Sequence, residues 1–331
     1  MKIAVIGTGV MGLSAALAAL KASPSQLTVF TKPDLKPASR CAGGMLAPYS
    51  ESDSLEHDLQ TLAARYSIDY WRDLASEYNV YFKEGGTLVI SHQQDMAYQD
   101  RFQTHLPQGT FEHVSGNPLR DLEPVLSKRF EKALWVYDEA HLNTANMLSA
   151  MQAEIQKNAD VKINEDVNSD EFDLVIDARG AYKVEDKMRK IKGERILLRC
   201  PDLKLNHCLR MMHPRYPIYI VPQGDNQFVV GASMIEDNSD EHFTLRSAME
   251  LMSAFSSLGG QVLESDIISM DTGLRPAFID HRPRLIQKDN VITCNGLYRH
   301  GFLMAPILAK AIFDESSEFD CLKERRDETV H

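Results

Sequence analysis

Apolar and polar positions fall along the chain in blocks whose spacing switches between that of buried strands and that of helices. Residues 2–6 (Lys-Ile-Ala-Val-Ile) are a short, mostly apolar run of the kind carried by a strand covered on both faces. From Leu13 the period is helical, with Leu13, Ala16, Leu17 and Leu20 recurring at three- and four-residue steps, until Ser23-Pro24-Ser25 stops it. Leu27-Thr28-Val29-Phe30 then reads as a second strand. The same patterning predicts a helix over 54–78, capped by Ser54 and carrying Leu55, Leu59, Leu62, Tyr66, Trp71, Leu74 and Tyr78, and a polar helix over 93–105. Further helices are expected from Asn143-Thr144 through Met147, Leu148, Met151 and Ile155, over 245–258 and over 302–313. Strands are expected at 134–137, 172–178 and 290–295, with a hairpin over 80–91 around Gly85-Gly86. The clearest hairpin joins 217–222 to 227–234 through Gly224-Asp225-Asn226. Alternation there puts Ile218 and Ile220 on one face, Tyr219 and Val221 on the other, so that if one face packs on helices the other can line a pocket. The tail from Asp314 is polar and expected to fray.

The first strand, helix and second strand make a βαβ unit of about thirty residues, the length such a crossover needs. Its turn is Gly7-Thr8-Gly9-Val10-Met11-Gly12. In that setting Gly7 permits the tight turn, Gly9 lets backbone approach a pyrophosphate, and Gly12 lets helix and strand pack closely, so free helix N–H groups face phosphates. The carboxylate that usually holds the ribose at the end of the second strand is missing: Thr31-Lys32 stand there, and the nearest acid is Asp34. Either Asp34 reaches round, or a hydroxyl or water holds the ribose. Further along, Ala42-Gly43-Gly44-Met45-Leu46 lies in a small-residue loop whose glycines would let backbone lie against a flat ligand. Gly180 follows a buried strand in the same manner. Two Gly-bracketed segments near the end, Gly273-Leu274-Arg275-Pro276 and Gly296 to Gly301, each carry one arginine, and a forked guanidinium suits the orientation of a small carboxylic acid.

The 331 residues allow two domains. Thirty-six basic residues against 47 acidic ones give a net charge of −11, and with no basic stripe a nucleic-acid partner is not expected. The chain starts directly on a strand, and no apolar run reaches the roughly eighteen residues of a membrane span, so a cytoplasmic location is expected. Cys41, Cys200, Cys208, Cys294 and Cys321 are scattered and odd in number, and the histidines lack paired ligand spacing, so neither disulfides nor a metal site is expected.

Taken together, these stretches resemble the D-amino acid oxidase family of FAD-dependent oxidoreductases, and within it the glycine oxidases of thiamine biosynthesis. The resemblance runs in family order through Gly7 to Gly12, Ala42-Gly43-Gly44-Met45-Leu46-Ala47-Pro48, Gly86-Thr87-Leu88-Val89-Ile90, Leu122-Glu123-Pro124, Asp138-Glu139-Ala140-His141, Tyr219-Ile220-Val221-Pro222, Gly273-Leu274-Arg275-Pro276 and Arg299-His300-Gly301-Phe302-Leu303-Met304-Ala305-Pro306. It implies an α/β fold in which a Rossmann-like FAD-binding domain (1–77, 142–192 and 267–331) is joined to an α+β substrate domain (78–141 and 193–266) built on a mixed, antiparallel-rich sheet. FAD contacts are implied for Gly7, Gly9, Val10, Met11, Gly12, Thr31, Lys32, Ala42, Gly43, Gly44, Met45, Leu46, Gly180, Gly273, Arg275, Arg299, His300, Gly301, Phe302 and Leu303. Arg275 is expected to take the substrate carboxylate, Tyr219 to hydrogen-bond to it or close the pocket, and Arg299 to sit beside flavin or carboxylate, with Met45 and Met304 lining the pocket. The implied reaction passes a hydride from a small amino acid or amine to flavin N5, giving an imine that hydrolyses, and dioxygen reoxidises the flavin with release of hydrogen peroxide.

Three features depart from the family pattern: Thr31 in place of the ribose acid, Arg179 where a small residue is usual, and a short polar stretch between Ile163 and Phe172 where relatives carry a longer β excursion against the adenosine. The last implies a more open adenosine side and weaker cofactor retention. Two alternatives stay open: a dehydrogenase using another electron acceptor, and a flavoprotein that binds or acts on a protein partner. The sequence does not decide whether the chain forms a homo-oligomer.

Overall fold

The computed structural model describes residues 1–51, 56–126, 129–183, 185, 187–213 and 215–325. They form two compact units: residues 1–40, 145–191 and 273–331 make the first, and residues 41–144 and 192–272 the second.

The first unit is built on a seven-stranded sheet. Five strands run parallel in the order Asp160–Ile163, Gln26–Thr31, Lys2–Ile6, Leu174–Asp177 and Val291–Asn295. Arg284–Lys288 pairs antiparallel to the last of these, and Lys323–Arg325 adds a parallel edge. The Lys2–Ile6 strand is central and flanked on both sides, which accounts for its apolar run: Ile3, Ala4 and Val5 are fully buried. Two helices, Val10–Lys21 and Gly301–Phe313, cover it and touch closely enough that a Cβ on Gly301 would lie 3.6 Å from Val10.

The second unit holds a nine-stranded mixed sheet and a small three-stranded one. In the large sheet Ile218–Gly224 and Gln227–Gly231 form the hairpin expected around Gly224-Asp225-Asn226. Its faces divide as the alternation predicts. Ile218, Ile220, Phe228 and Val230 share a core with Leu251, Ala254 and Phe255 of the helix Leu245–Ser256, whereas Tyr219, Val221 and Val229 cluster with Cys208 and Met45. That helix is capped by Thr244, whose hydroxyl accepts from Ser247 N.

Three expectations are corrected. The segment 80–91 is not a hairpin, because Phe82–Glu84 pairs with Ala140–Leu142 in the small sheet, and Thr87–Ile90 pairs with Cys208–Met211 and Lys132–Val136 in the large one. Gly85 and Gly86 both donate to Glu139 O, at 3.4 and 3.0 Å, and Gly86 takes φ +81 with no room for a side chain, its Cβ position being 2.2 Å from Val136 O. The glycine pair therefore carries the chain from one sheet to the other. The tail does not fray at Asp314: a 3-10 turn, Ser317–Leu322, puts Phe319 and Leu322 three residues apart on one side, both at most 1% exposed, before the Lys323–Arg325 edge strand. Met304 is fully buried and lines no open surface.

The expected helix over 54–78 is present as His57–Tyr78, while Ser54 and Leu55 lie outside the described residues. Residues 41–77, expected with the dinucleotide-binding segments, belong to the second unit. Among the described residues no helix is long and apolar enough to cross a membrane.

The buried tail yields a stability prediction. Phe319 is fully buried with Lys310 5.7 Å from its ring centre, so Phe319→Ala should destabilise the apoprotein by about 3 to 5 kcal/mol in urea titrations. A loss below about 1 kcal/mol would mean that the tail contributes little to the core.

Candidate functional site

In the first unit the Gly7 to Gly12 turn leaves the central strand and opens the Val10–Lys21 helix. Gly7 has φ +107, and a Cβ there would be 2.7 Å from Ala178 O. At Gly12 a Cβ would be 1.9 Å from Gly7 O. No side chain fits at either position, and the three backbone segments are as close as the sequence pattern requires. The helix starts at Gly9 with no side-chain cap and no acid in its first turn, which suits a polyanion at that end. Val10 N is already engaged by Ser39 Oγ at 3.1 Å.

At the end of the second strand Thr31 Oγ1 lies 2.9 Å from Thr8 Oγ1, so a hydroxyl pair stands where the ribose acid is missing. Lys32 turns to Asp166 at 2.9 Å on an exposed surface. Arg179 does not point to an open cradle either: its Nε and Nη2 donate to Asp177 at 2.9 and 2.6 Å, and Lys183 approaches the same carboxylate at 3.1 Å. Burial pushes Asp177 up, but these two cations outweigh it and hold the carboxyl below its ordinary value. Arg179 thus neutralises a buried acid, which accounts for an arginine at that position. Gly180 takes φ +57, and Asn295 Nδ2 donates to its carbonyl at 3.1 Å.

The two arginine segments are joined in the same unit. Arg275 lies in the long strand Asp266–Phe278, and Tyr298 N donates to Pro276 O at 2.9 Å, so Arg275 and Arg299 each sit one residue from a shared hydrogen bond. Both are half-buried. Tyr298, at φ +46, meets His281 edge-on with ring centres 4.8 Å apart, and Arg189 Nη2 is 3.1 Å from His281 Nε2. Burial and then Arg189 push the His281 pKa down, with Arg299 acting in the same direction. His300, Phe302 and Leu303 are buried.

The second unit holds Ala42 to Leu46 and Tyr219. Gly44 takes φ +87, with Leu142 O 2.1 Å from where a Cβ would be, and Gly43 lies against Val221 and Val229 on the Tyr219 face of the sheet. Every carbonyl from Ala42 to Gly44 is bound within this unit: Ala42 O by Arg195 Nη1 (3.0 Å) and Thr144 Oγ1 (3.2 Å), Gly43 O by Gln223 Nε2 (2.8 Å), and Gly44 O by Leu142 N (3.0 Å). Tyr219 is buried, opposite Arg210 across the strand pair, and the fully buried Arg210 guanidinium lies 5.8 Å from its ring centre and 4.0 Å from that of Phe102. Arg210 also donates to Ser50 O. Ser50 N and Oγ donate in turn to the buried carboxylate Glu139, at 2.6 and 2.7 Å.

The sequence did not mark Thr8, Ser39, Arg195, Arg210 or Gln223 as site residues, although Thr8 and Glu139 both fall in matched stretches. Their contacts span 23 to 180 positions along the chain, so no local spacing announces them.

The family model described as FAD dependent oxidoreductase (DAO) matches residues 2–315. A protein of Rhizobium etli named as a thiamine biosynthesis oxidoreductase, ThiO, is 37% identical over 277 residues, covering 82% of this chain and 83% of its own. A glycine oxidase of Bacillus licheniformis is 24% identical over 99% of this chain and 98% of its own. The crystal structure of glycine oxidase from Geobacillus kaustophilus superposes with a TM-score of 0.82 at 20% identity, covering 99% of each chain.

Two predictions follow from the geometry. Thr31→Val removes a hydroxyl from the Thr8 pair and should weaken FAD binding about five- to tenfold by fluorescence titration, about one hydrogen bond's worth. Lys32→Ala should change it little, and the reverse ranking would move the ribose contact to Lys32. Burial raises the Glu139 pKa from 4.5 to about 7 against the opposing hydrogen bonds from Thr87, Ser50 and Tyr49. The native state therefore holds a proton that the unfolded chain releases, so stability should fall by about 3 kcal/mol as pH rises from about 4.5 to about 7 and level off above. Glu139→Gln should flatten that part of the pH–stability curve, and an unchanged slope would assign it to other groups.

Proposed function

We propose that this chain, which belongs to the FAD-dependent oxidoreductase (DAO) family, is an amine oxidase acting on glycine or another small amino acid. The family assignment makes FAD its cofactor, and the residues present fit that group: two positions that exclude any Cβ, a helix start with no acid in its first turn and a hydroxyl pair at the end of the second strand. Bound FAD supplies the electron acceptor, so that the amine-bearing carbon is oxidised to an imine that water hydrolyses, with dioxygen reoxidising the cofactor and released as hydrogen peroxide.

The observation that carries the substrate reading is the Tyr298 N to Pro276 O bond, which couples the two arginine segments in one unit. Pro276 fixes its own φ and biases Arg275 to an extended conformation, so the guanidinium leaves the strand at a defined angle. A fork held in this way grips a carboxylate with two parallel hydrogen bonds. Arg299, one residue beyond the shared bond, adds a second positive charge that favours an acid. The same two charges favour loss of a proton from the substrate ammonium, as hydride loss from the carbon requires. Orientation of the carbon is the chain's main contribution, and no side-chain base is needed. Tyr219 is the candidate hydroxyl for substrate in the second unit. The name of one relative, glycine oxidase, supports the same substrate class.

The decisive measurement is anaerobic mixing with a panel of amino acids and amines while flavin absorbance is followed, then admission of oxygen with peroxide assayed. Glycine or another small amino acid should bleach the flavin and return one peroxide per turnover. Bleaching without peroxide would assign a dehydrogenase with a different acceptor. Arg275→Leu and Arg275→Lys should both keep FAD and lose about two to four orders of magnitude in turnover of an amino acid, since an unpaired buried charge costs about 3 to 5 kcal/mol and each 1.4 kcal/mol is tenfold. A primary amine without the carboxylate should be affected far less. Equal loss on both substrates would remove Arg275 as the carboxylate clamp.

A further inference from the structure

The segment 42–46 has a one-sided hydrogen-bonding pattern. Its three successive carbonyls, Ala42, Gly43 and Gly44, are all bound within the second unit, which the positive φ of Gly44 makes feasible. The N–H groups of Gly43 and Gly44 have no acceptor among the described residues, although Gly44 is buried and Gly43 half-buried. Buried backbone donors left without a protein acceptor point to a ligand acceptor. Each of these donors, moreover, belongs to a peptide whose other end is held by a buried side chain. The Gly43 N–H shares its peptide with Ala42 O, bound by Arg195; the Gly44 N–H shares its peptide with Gly43 O, bound by Gln223.

We propose that Arg195 and Gln223 are positioning residues for the cofactor, holding the 42–44 peptides so that the Gly43 and Gly44 N–H groups donate to the acceptor edge of the flavin ring, with the charge on Arg195 favouring its reduction. This rests on the reading that the 42–46 segment lies along the flavin. Both side chains are themselves fixed. Arg195 is 7% exposed and also meets Asp271 at 3.3 Å; Gln223 is 4% exposed, and its Nε2 also donates to Pro222 O at 3.2 Å. A hydrogen bond to a peptide oxygen polarises that peptide and strengthens its N–H as a donor, more so when the donor is a cation. Arg195 therefore acts on Gly43 N–H as a cation whose charge Asp271 partly offsets, and Gln223 acts on Gly44 N–H with a dipole. Added electron density on the flavin is better accommodated in the presence of both.

The test uses FAD-loaded Arg195→Met, Arg195→Lys and Gln223→Leu, with flavin midpoint potential, visible spectrum and FAD affinity as readouts. Arg195→Met should keep FAD while its two-electron reduction becomes about tenfold less favourable, about 30 mV more negative, with kcat lowered and KM little changed. Arg195→Lys should recover most of that shift, and Gln223→Leu should give a smaller one of the same sign. Should Arg195→Met not fold, the lysine and leucine variants decide between them. Variants that melt earlier but keep the parent potential and spectrum overturn the proposal and leave a merely structural contact. A parent protein that takes up no FAD is a separate failure, and it overturns the flavoenzyme reading itself.

Discussion

Closest approach of bare backbone is the constraint on which the first unit depends. Gly12 sits so near Gly7 O, and Gly7 so near Ala178 O, that neither position has space for a methyl group. That contact locks the first strand, the first helix and the loop after the Leu174–Asp177 strand into one turn. It also leaves the helix start without an acid in its first turn, so that the helix dipole favours a polyanion there, although Ser39 Oγ already accepts from Val10 N. The same economy recurs at Gly44 and Gly86, where a positive φ and a carbonyl about 2 Å from the missing Cβ let one segment cross another. At these four positions glycine marks where backbone meets backbone.

Buried charge is handled differently at Asp177, Glu139 and Glu194. Asp177 is neutralised locally by Arg179 and Lys183, which keeps it ionised at low cost beside the dinucleotide turn. Glu139 has hydrogen-bond donors but burial dominates, and its carboxyl titrates near neutrality. Glu194, fully buried, is satisfied by Ser233 Oγ, Thr244 N and Ser247 Oγ and ties the strand Met188–Arg199 to the cap of the helix Leu245–Ser256. Arg195 follows Glu194 directly and points the other way, toward Ala42 O. One strand thus serves helix capping on one face and the 42–44 segment on the other.

That division of faces is the link from sequence to chemistry in the second unit. The period-2 alternation sends isoleucines and valines of one parity into a core with the Leu245–Ser256 helix, and leaves Cys208, Arg210, Tyr219, Val221 and Val229 on the opposite face with the Gly43 to Met45 segment. A polar side chain on that face is held by aromatic rings and backbone carbonyls, as Arg210 is by Phe102 and Ser50. Rigid placement of this kind is what an orientation-driven reaction requires.

The sequence by itself determined whatever depends on local period and on glycine: the βαβ unit, the Gly224-Asp225-Asn226 hairpin, the two faces of its strands, the last helix and the segments that carry Arg275 and Arg299. These are short-range, because period-2 and period-3.6 patterns and φ preferences act over a few residues. Only the tertiary structure decided that Gly85-Gly86 is a crossover between sheets, since a turn and a crossover use the same residues and differ only in which strand waits on the far side. Likewise, Phe319 and Leu322 look like part of a polar tail until the 3-10 turn places them together in the core. The hydroxyl pair at Thr8 and Thr31, the neutralisation of Asp177 by Arg179, and the grip of Arg195 and Gln223 on the 42–44 carbonyls belong to the same class. Each joins partners by direction as well as distance, and a side chain's direction is set by the packing of the whole unit around it.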